Sequence, residues 1–506
     1  LVTRGVQPIE SEKTSLSVAQ SPLWGMGKVL ALEFPDWWGG MVDLDISTSD
    51  QEINQLLSEI ENSQGEDKIA FRASKRYVSR LVKTNISENK PLTIYSDKTY
   101  LITGGLGALG LKVAQWMVEK GVKYLALIGR RKPTSKAQSI LNQMTAQGVN
   151  VEIMSADVGD EEAMKEVLKT IESQMPPLKG IIHTAGTLDD GVLLKQNWQK
   201  FEKVMSPKIE GAWNLHQLTE DYSLDFCIFF SSVASLLGSP GQSNYAAANQ
   251  FMDSLAHYRH QEGKPALSIN WGPWAEGGMA SELQQYQREN IEKQGIYFIS
   301  VEQGLKALGT LIDCNKGEIG VFSIDWQTFA KSSQKKALPI LSDVLSSFDG
   351  FSYSEGDRSF LKKDWLIQID SASPEGRLEV VTGYLQQQIC LALKLAPDQI
   401  NLNSSLNMMG MDSLMAMELR NRVKTDLKID IPVSQIMSGQ NPVKVAHYLE
   451  EKLSESAVNS QIEKMSETTI EQLTEEELLH SLNELSDAQV VSLLSTMLTE
   501  EEEDID

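Results

Sequence analysis

The segment SSVASLLGSPGQSNYAAAN (231–249) contains side chains that could transfer a proton. Tyr245 follows Ser232 by thirteen residues and precedes Asn249 by four, which places Tyr245 and Asn249 on one face of a predicted helix. Reduction of a carbonyl by hydride generates an alkoxide that needs a proton, and a Tyr hydroxyl can donate it if a nearby cation lowers its pKa. A Ser hydroxyl can hold the carbonyl oxygen in place. The candidate cation is Lys208, in the earlier predicted helix SPKIEGAWNLH.

A glycine-rich segment, TGGLGALG (103–110), predicts a dinucleotide site. It contains the pattern G-x-G-x-x-G, follows a predicted strand and begins a predicted helix. Side chains at the glycine positions would keep a pyrophosphate away from the backbone N–H groups, and the helix N-terminus supplies positive potential. The residues predicted to contact the cofactor are Thr103, Gly104, Gly105, Leu106, Gly107 and Gly110.

The ends of the next two predicted strands indicate which nicotinamide cofactor binds. An acidic residue after the second strand would favour NAD, whereas this chain has Arg130 and Arg131 there. A guanidinium suits a 2′-phosphate, so the pair favours NADPH. The alternative is a solvated pair of surface arginines. Asp157 and Val158, which end the third strand, are candidates to flank the adenine.

Predicted strands and helices alternate from Lys98 to about residue 330. This alternation predicts a doubly wound, Rossmann-like parallel α/β sheet. Residues 1–96 mix short strand-like and helical stretches and contain no catalytic cluster. The apolar runs predicted as strands of the parallel sheet are TYLITGG, YLALIGR, VNVEIMSADV, KGIIHTAG, DFCIFFSS and ALSINWGPW.

Together these motifs resemble the ketoreductase of a modular polyketide synthase, a member of the extended short-chain dehydrogenase/reductase family. Ordinary members carry Tyr-x-x-x-Lys. The ketoreductases instead have Asn at the last position and take the Lys from an earlier helix, which is the arrangement of Tyr245, Asn249 and Lys208. The alternative for Tyr245 is a structural role, as a buried side chain near a turn.

The resemblance extends to both sides of this motif. It covers HTAG, which implies that Ala185 and Gly186 contact the cofactor, and WGPWAEGGMA (271–280), which implies a mobile lid over the substrate. It also implies that residues 1–96 are the structural subdomain of such ketoreductases, which binds no cofactor. The usual opening strands of that subdomain are missing before Leu1, so we expect the chain to be part of a longer one.

A short acidic segment predicts the stereochemistry of reduction. Leu188, Asp189 and Asp190 follow HTAG, and Leu-Asp-Asp here resembles B-type ketoreductases, which give a D-configured (3R) β-hydroxyl. A-type enzymes carry a Trp between the catalytic Ser and Tyr, and residues 233–244 contain none. Ala247 stands where an epimerising subtype would have Pro. The resemblance therefore implies B1-like reduction, with the motif guiding a phosphopantetheine arm into one side of the groove. The alternative is a simple acidic turn.

A second motif, MGMDSLMAMELRNRV (409–423), predicts a carrier domain. A Ser at a helix N-terminus is often only a cap. Gly410–Leu414, however, resembles the attachment site of acyl carrier proteins, in which the Ser carries 4′-phosphopantetheine. The resemblance implies that Ser413 is modified by a phosphopantetheinyl transferase. The arm would then hold the substrate at high effective concentration.

The C-terminal segment is acidic and amphipathic. Residues 451–506 contain 16 acidic and two basic residues, so they carry 14 of the 23 excess negative charges. Two capping boxes, at Thr474 and Ser486, each precede apolar residues at helical spacing, and such short helices need a partner to cover their apolar faces. The segment resembles a docking element that pairs with the next synthase multienzyme. The alternatives are a solvated tail or a helical hairpin packed on the carrier.

Composition excludes several other classes of protein. The net charge of −23 argues against a nucleic-acid partner, and no apolar run has the length of a membrane span. There is no signal peptide, which favours a cytoplasmic protein. Cys227, Cys314 and Cys390 lie far apart without metal-ligand spacing, so neither a metal site nor a disulfide framework is expected.

These observations lead to one interpretation of the whole chain. We expect NADPH-dependent reduction of a carrier-bound β-ketoacyl thioester, with upstream domains of the same synthase as partners. One alternative is a catalytically silent ketoreductase scaffold beside a functional carrier and docking module. Another is a carrier and interaction module whose partners do the chemistry. The predicted domains are the structural subdomain (1–96), the catalytic Rossmann subdomain (97–330), a linker (331–374), a four-helix-bundle acyl carrier (375–453) and a helical docking tail (454–506).

Overall fold

The computed structural model divides the chain into two compact units, residues 1–353 and 354–506. The predicted docking tail falls outside the described residues from position 468 onward, as do Gly410 and Asp412 of the carrier motif. The structure describes residues 1–9, 16–49, 51–61, 66–86, 94–278, 285–331, 339–346, 369, 374–393, 400–402, 404–406, 408–409, 411, 413–437 and 440–467.

The N-terminal part of the first unit is a four-stranded sheet in the order β1-β2-β3-β4. β1 to β3 are parallel, and β4 turns back antiparallel through Ala73 and Ser74. Asp43 and Arg72 form an ion pair that is almost completely buried, and Asp43 also accepts hydrogen bonds from the backbone of Val6 and Gln7. The elements are β1 (Val2–Arg4), α1 (Pro22–Glu33), β2 (Met41–Leu44), α2 (Glu52–Glu61), β3 (Lys68–Arg72) and β4 (Lys75–Val78).

The larger part of the first unit is built on a parallel sheet of seven strands. Its order is β12-β10-β9-β8-β5-β6-β7, and the strand order reverses between β5 and β8. Ligands of such sheets bind beyond the carboxyl ends of the strands at this reversal. The strands of the first unit from residue 99 onward are β5 (Thr99–Thr103), β6 (Tyr124–Gly129), β7 (Asn150–Ser155), β8 (Leu178–His183), β9 (Phe226–Ser232), β10 (Leu267–Trp271), β11 (Ile296–Tyr297), β12 (Glu318–Val321) and β13 (Ser323–Ile324).

Helices cover both faces of this sheet. Tyr100 and Ile102 pack into one apolar core and Leu101 into another, because successive side chains of a strand point to opposite faces. The predicted doubly wound α/β fold is confirmed. The helices are α3 (Ala108–Glu119), α4 (Ser135–Ala146), α5 (Glu161–Gln174), α6 (Trp198–Lys208), α7 (Glu210–Leu218), α8 (Val233–Leu237), α9 (Ser243–Gln261), α10 (Gln285–Lys293), α11 (Val301–Leu311), α12 (Trp326–Lys331) and α13 (Ser342–Ser346).

Two features of this unit differ from the sequence analysis. The seventh strand, β12, was not among the predicted strands. Part of the predicted linker is packed structure, because Ile340, Leu341 and Leu345 bury their side chains in a small core with Phe329.

Among its described residues, the second unit contains four helices, as expected of a carrier. They enclose an apolar core that includes Tyr384, Leu419, Ile436 and Leu449. The Tyr384 hydroxyl donates a hydrogen bond to Oδ2 of Asp426 at 2.9 Å, which satisfies its polar end. The helices are α14 (Pro374–Leu393), α15 (Ser413–Leu427), α16 (Val433–Met437) and α17 (Pro442–Glu467).

Candidate active site

The glycine-rich turn lies at the strand reversal, between the carboxyl ends of β5 and β8. The Thr103 hydroxyl lies 2.7 Å from Nδ1 of His183, and the backbone N–H of Thr184 donates to the Thr103 carbonyl at 3.0 Å. The ends of the two strands are therefore fixed side by side. Thr103 is completely buried, so its side chain joins the strands rather than lining an open site.

The turn requires glycine at two positions for steric reasons. Gly104 has a φ of +68°, and a Cβ there would lie 2.8 Å from the backbone nitrogen of Ala185. A Cβ at Gly110 would lie 2.3 Å from the Gly104 carbonyl oxygen. Gly107 is exposed and is the N-cap of α3, and the first N–H groups of a helix have no partner within the helix, so this end can bind an anion. These residues form a cradle that fits a pyrophosphate group.

The residues predicted to select the cofactor lie at the same edge of the sheet. Arg130 follows β6 and Asp157 follows β7, with 3.6 Å between Nη1 and Oδ2 across two exposed side chains. Exposed ion pairs of this kind are weak, so Arg130 can exchange its partner for a phosphate. Arg131 is also exposed. The side chain of Val158 is buried and faces Gly211 of α7, so it is part of the core.

The four residues predicted to be catalytic come together. Ser232 ends β9, and its hydroxyl accepts a hydrogen bond from the Ala234 N–H, so the hydroxyl proton is not used by this cap. Tyr245 lies in the first turn of α9, and Nδ2 of Asn249 donates to the Tyr245 carbonyl at 2.8 Å. Lys208, at the end of α6, has its ammonium 5.3 Å from the centre of the Tyr245 ring.

Burial dominates the electrostatics of these groups. It lowers the pKa of Lys208 to about 7, and the negative charge of Asp253 opposes this shift. Nζ of Lys208 donates to the Phe230 carbonyl at 3.0 Å, which fixes the ammonium below the tyrosine ring. Burial raises the pKa of Tyr245, while hydrogen bonds from Asn249 and Ser232 oppose the rise. The pKa of Tyr245 is raised on balance because burial is the largest of these effects, so the lowering that sequence analysis expected is not the net result.

A buried polar network lies behind the serine, and sequence analysis missed it. Asp253 accepts hydrogen bonds from the hydroxyls of Ser235 and Ser268 at 2.6 and 2.5 Å, and from Nδ2 of Asn270 at 2.9 Å. The Ser235 hydroxyl also lies 2.8 Å from the carbonyl oxygen of Ser232. Burial raises the pKa of Asp253 to about 7. No short motif marks these residues, since they come from three different elements.

The acidic segment after β8 is held against the tyrosine helix. Oδ2 of Asp189 pairs with Lys203 at 2.7 Å, and this pairing lowers the pKa of Asp189. The Asp189 carbonyl accepts from Nδ2 of Asn244 at 2.9 Å, and Asp190 accepts from Nε2 of Gln242 at 2.9 Å. Leu188–Asp190 therefore forms one wall beside the N-terminus of α9.

The remaining predicted positions are less constrained. Ala185 and Gly186 follow β8 and are partly exposed beside the glycine-rich turn. Ser413 is the first residue of α15 in the carrier.

Among the described residues, no cluster of three or more His, Cys, Asp or Glu side chains could hold a metal ion. Within the same part of the chain, no helix has the length and apolarity to cross a membrane.

Comparison with protein families identifies two domains. The family described as "KR domain" matches residues 98–276, and that described as "Phosphopantetheine attachment site" matches residues 383–449. Polyketide synthase GfsA of Streptomyces halstedii is 30% identical over 454 residues, which is 88% of this chain and 6% of the relative. A phenolphthiocerol/phthiocerol polyketide synthase of Mycobacterium tuberculosis is 31% identical over 87% of this chain and 24% of its own length. The chain thus spans a quarter or less of these relatives.

Solved structures agree with the first of these assignments. The structure described as "The first ketoreductase of the tylosin PKS" has 34% identity and a TM-score of 0.57, covering 65% of this chain and 70% of that one. An A-type ketoreductase from a modular polyketide synthase has 30% identity and a TM-score of 0.61, covering 69% and 74%.

Proposed function

Because the chain belongs to the modular polyketide synthases, with a ketoreductase of the short-chain dehydrogenase/reductase type and a phosphopantetheine carrier domain, we propose that it reduces a carrier-bound β-ketoacyl thioester to the 3R alcohol with NADPH. The observation that carries the proposal is that Ser232, Tyr245, Lys208 and Asn249 come together at the carboxyl end of β9, at the same edge of the sheet as the glycine cradle that follows β5. Three elements supply these side chains: α6 gives Lys208, β9 gives Ser232, and α9 gives both Tyr245 and Asn249.

The residues of the cradle fit NADPH. The backbone around Gly104 and Gly107 would hold the pyrophosphate, and Arg130 and Arg131 would hold the 2′-phosphate. Both arginines are exposed, so a 2′-phosphate could reach them, and the comparison of NADPH with NADH below separates this assignment from a solvated pair of surface arginines. When bound, NADPH supplies the hydride that the β-carbon accepts.

The side chains of the site would handle the oxygen and its proton. The hydroxyl proton of Ser232, which the Ala234 cap does not use, would donate to the carbonyl oxygen of the substrate and hold it beside Tyr245. Tyr245 donates its proton to the developing alkoxide. Lys208 stabilises the phenolate that remains, since its ammonium faces the ring. Oδ1 of Asn249 is buried without a hydrogen-bond partner in the described structure. It can therefore hold a water molecule through which the Tyr245 phenolate regains its proton.

The acidic wall supports the assignment of product stereochemistry. Leu188–Asp190 is joined to the start of α9 through Asn244 and Gln242, so a phosphopantetheine arm has a fixed surface on this side of Tyr245. A fixed wall exposes one face of the carbonyl to hydride. One of the similar solved structures is an A-type ketoreductase. That similarity concerns the fold, so the proposed 3R stereochemistry rests on Leu188–Asp190.

The proposal includes the carrier and its partners. Ser413 would receive 4′-phosphopantetheine from a phosphopantetheinyl transferase, and the start of a fifteen-residue helix suits the phosphate. Upstream domains would load the chain, and residues 454–506 would pair with the next multienzyme. A cytoplasmic location is part of the same proposal.

The deciding experiment incubates the full chain with a β-ketoacyl N-acetylcysteamine thioester and either NADPH or NADH, then resolves the alcohol by chiral chromatography. We expect 3R product with NADPH, and a fall in kcat of about 10²–10⁴-fold in Tyr245→Phe through loss of the proton donor. Tyr258→Phe, on the same helix far from the site, is the matched control and keeps the wild-type rate.

Three other outcomes are informative. A 3S product would keep the reductase and overturn the role of Leu188–Asp190. Equal use of NADH would overturn the role of Arg130 and Arg131. Failure to consume either cofactor, with Ser413 still modified, would favour the silent scaffold with a functional carrier.

A further inference from the structure

Helix α1 of the N-terminal subdomain packs directly on the helix that carries Tyr245. A Cβ at Gly25 would lie 2.2 Å from the Ala246 carbonyl oxygen, so the two backbones touch. Lys28, also on α1, is buried and donates to the Ser235 carbonyl and, at 2.6 Å, to Oε1 of Gln250. The subdomain that lacks catalytic groups therefore reaches the elements that carry Ser232 and Tyr245.

Glu33, the last residue of α1, joins two loops of the site. The wall loop (residues 188–193) includes the acidic segment, and the tyrosine loop (residues 238–244) leads into α9. Oε2 of Glu33 accepts from the Leu193 N–H at 2.8 Å, and Oε1 accepts from the Gly241 N–H at 2.7 Å. The Glu33 side chain is only 1% exposed. One buried carboxylate thus holds both loops, which lie 160 and 208 residues away in sequence.

A direct contact between the loops closes the arrangement. The Gly191 N–H donates to the Gly241 carbonyl at 2.7 Å, so Gly241 bonds to Glu33 through its nitrogen and to the wall loop through its oxygen. The distance between the wall loop and the tyrosine loop is therefore fixed from α1. Tyr245 follows Gly241 by four residues, so a shift of the tyrosine loop would move the tyrosine itself.

We propose that Glu33 is a positioning residue that sets the width of the groove between the wall loop and Tyr245, and thereby the orientation of the acyl chain. This inference rests on the proposed function, which places the acyl chain between the two loops. Only a carboxylate provides two acceptors for two N–H donors. A glutamine would present its NH₂ group to one of them and leave that backbone N–H unpaired.

The test compares Glu33→Gln and Glu33→Asp in the full chain, with Glu262→Gln as the matched control. Glu262 is exposed at the far end of α9. Hydrogen exchange measured by mass spectrometry on peptides that cover 188–193 and 238–244 reports the loops without any turnover. Two further measurements report how the groove holds the acyl chain: steady-state kinetics with the β-ketoacyl thioester and the ratio of 3R to 3S product. An NADPH titration followed by fluorescence reports cofactor affinity.

We expect at least tenfold faster exchange of both loops in Glu33→Gln, at least a tenfold lower kcat/KM for the thioester and a lower 3R fraction. The dissociation constant of NADPH should stay within twofold, since the two N–H groups that Glu33 accepts from belong to the wall loop and the tyrosine loop and not to the glycine-rich turn. Glu33→Asp keeps both acceptors on a shorter side chain, so it should recover part of the exchange protection and part of kcat/KM.

The inference is overturned if Glu33→Gln matches Glu262→Gln in both loop exchange and kinetics. It is also overturned if NADPH affinity falls as much as kcat/KM, because that pattern reports general loss of structure. If the wild-type chain reduces no thioester, the proposed function fails on its own. The exchange of the two loops then still decides whether Glu33 holds them together.

Discussion

Replacement of Gly104 by Ala tests whether close approach of β5 and β8 builds the cofactor cradle. A new Cβ would lie 2.8 Å from the Ala185 nitrogen and 2.9 Å from the Ala185 Cα, and both of these are backbone atoms that cannot rotate away. The φ of +68° adds about 1–2 kcal/mol for an L-residue. Overpacking adds about 1–3 kcal/mol. We therefore expect the free energy of unfolding of the first unit to fall by about 2–5 kcal/mol.

Gly148→Ala separates these two contributions. Gly148 has a φ of +79°, and a Cβ there would meet no atom within 4 Å, so this variant carries the backbone strain alone. We expect it to lose about 1–2 kcal/mol and to bind NADPH normally. Gly104→Ala should in addition bind NADPH at least tenfold more weakly, because separating Gly104 from Ala185 distorts the cradle.

The measurements are urea unfolding followed by tryptophan fluorescence and an NADPH titration. Nine of the ten tryptophans belong to residues 1–353, so the fluorescence signal reports the ketoreductase unit. The reasoning is refuted if Gly104→Ala unfolds at the same urea concentration as Gly148→Ala and binds NADPH like the wild type. That result would mean that the two strand ends separate at no cost.

Two further predictions concern the lysine and the carrier. Lys208→Met should be most stabilising at pH 7 and below, and its advantage should shrink as pH rises from about 7 towards 10.5. Between pH 7 and 10.5 the unfolded chain keeps the Lys208 proton while the folded chain releases it, so the stability of the wild type rises with pH. The urea midpoints of the wild type and the variant, measured across this range, check the sign. Ser413→Ala should gain no mass from a phosphopantetheinyl transferase and coenzyme A, whereas the wild type gains one phosphopantetheinyl group; mass gain by the variant would move the attachment site elsewhere.

Most of the fold could be predicted from local patterns. Six of the seven strands of the parallel sheet were predicted: the five inner strands are mostly apolar runs, because such strands are buried on both faces, and the edge strand β7 is exposed or half-buried throughout. The exception is β12 (Glu318–Val321), an edge strand that begins with a charged residue and is only partly buried. Pairing with β10, not its own composition, makes this segment a strand.

In the site, the features that depend on local sequence were predicted, and those that depend on packing were not. The glycine-rich turn and the spacing of Ser232, Tyr245 and Asn249 depend on one strand, one turn and one helix, so they are visible in the sequence. The net direction of the Tyr245 pKa shift could not be predicted from the sequence, because the depth of burial that raises this pKa depends on packing. Asp157 and Val158 were predicted to flank the adenine, but only packing decided where their side chains lie: Val158 faces Gly211 of α7, and Asp157 lies beside Arg130.

The sequence by itself determined the strand–turn–helix units and the chemical groups that they present. Only the tertiary structure decided which distant groups act on them. Lys208 meets Tyr245 because α6 and α9 pack on one another, and Glu33 meets Leu193 and Gly241 because α1 packs on α9. Contacts of this kind follow from the order of strands and the packing of helices, which no local spacing of residues encodes.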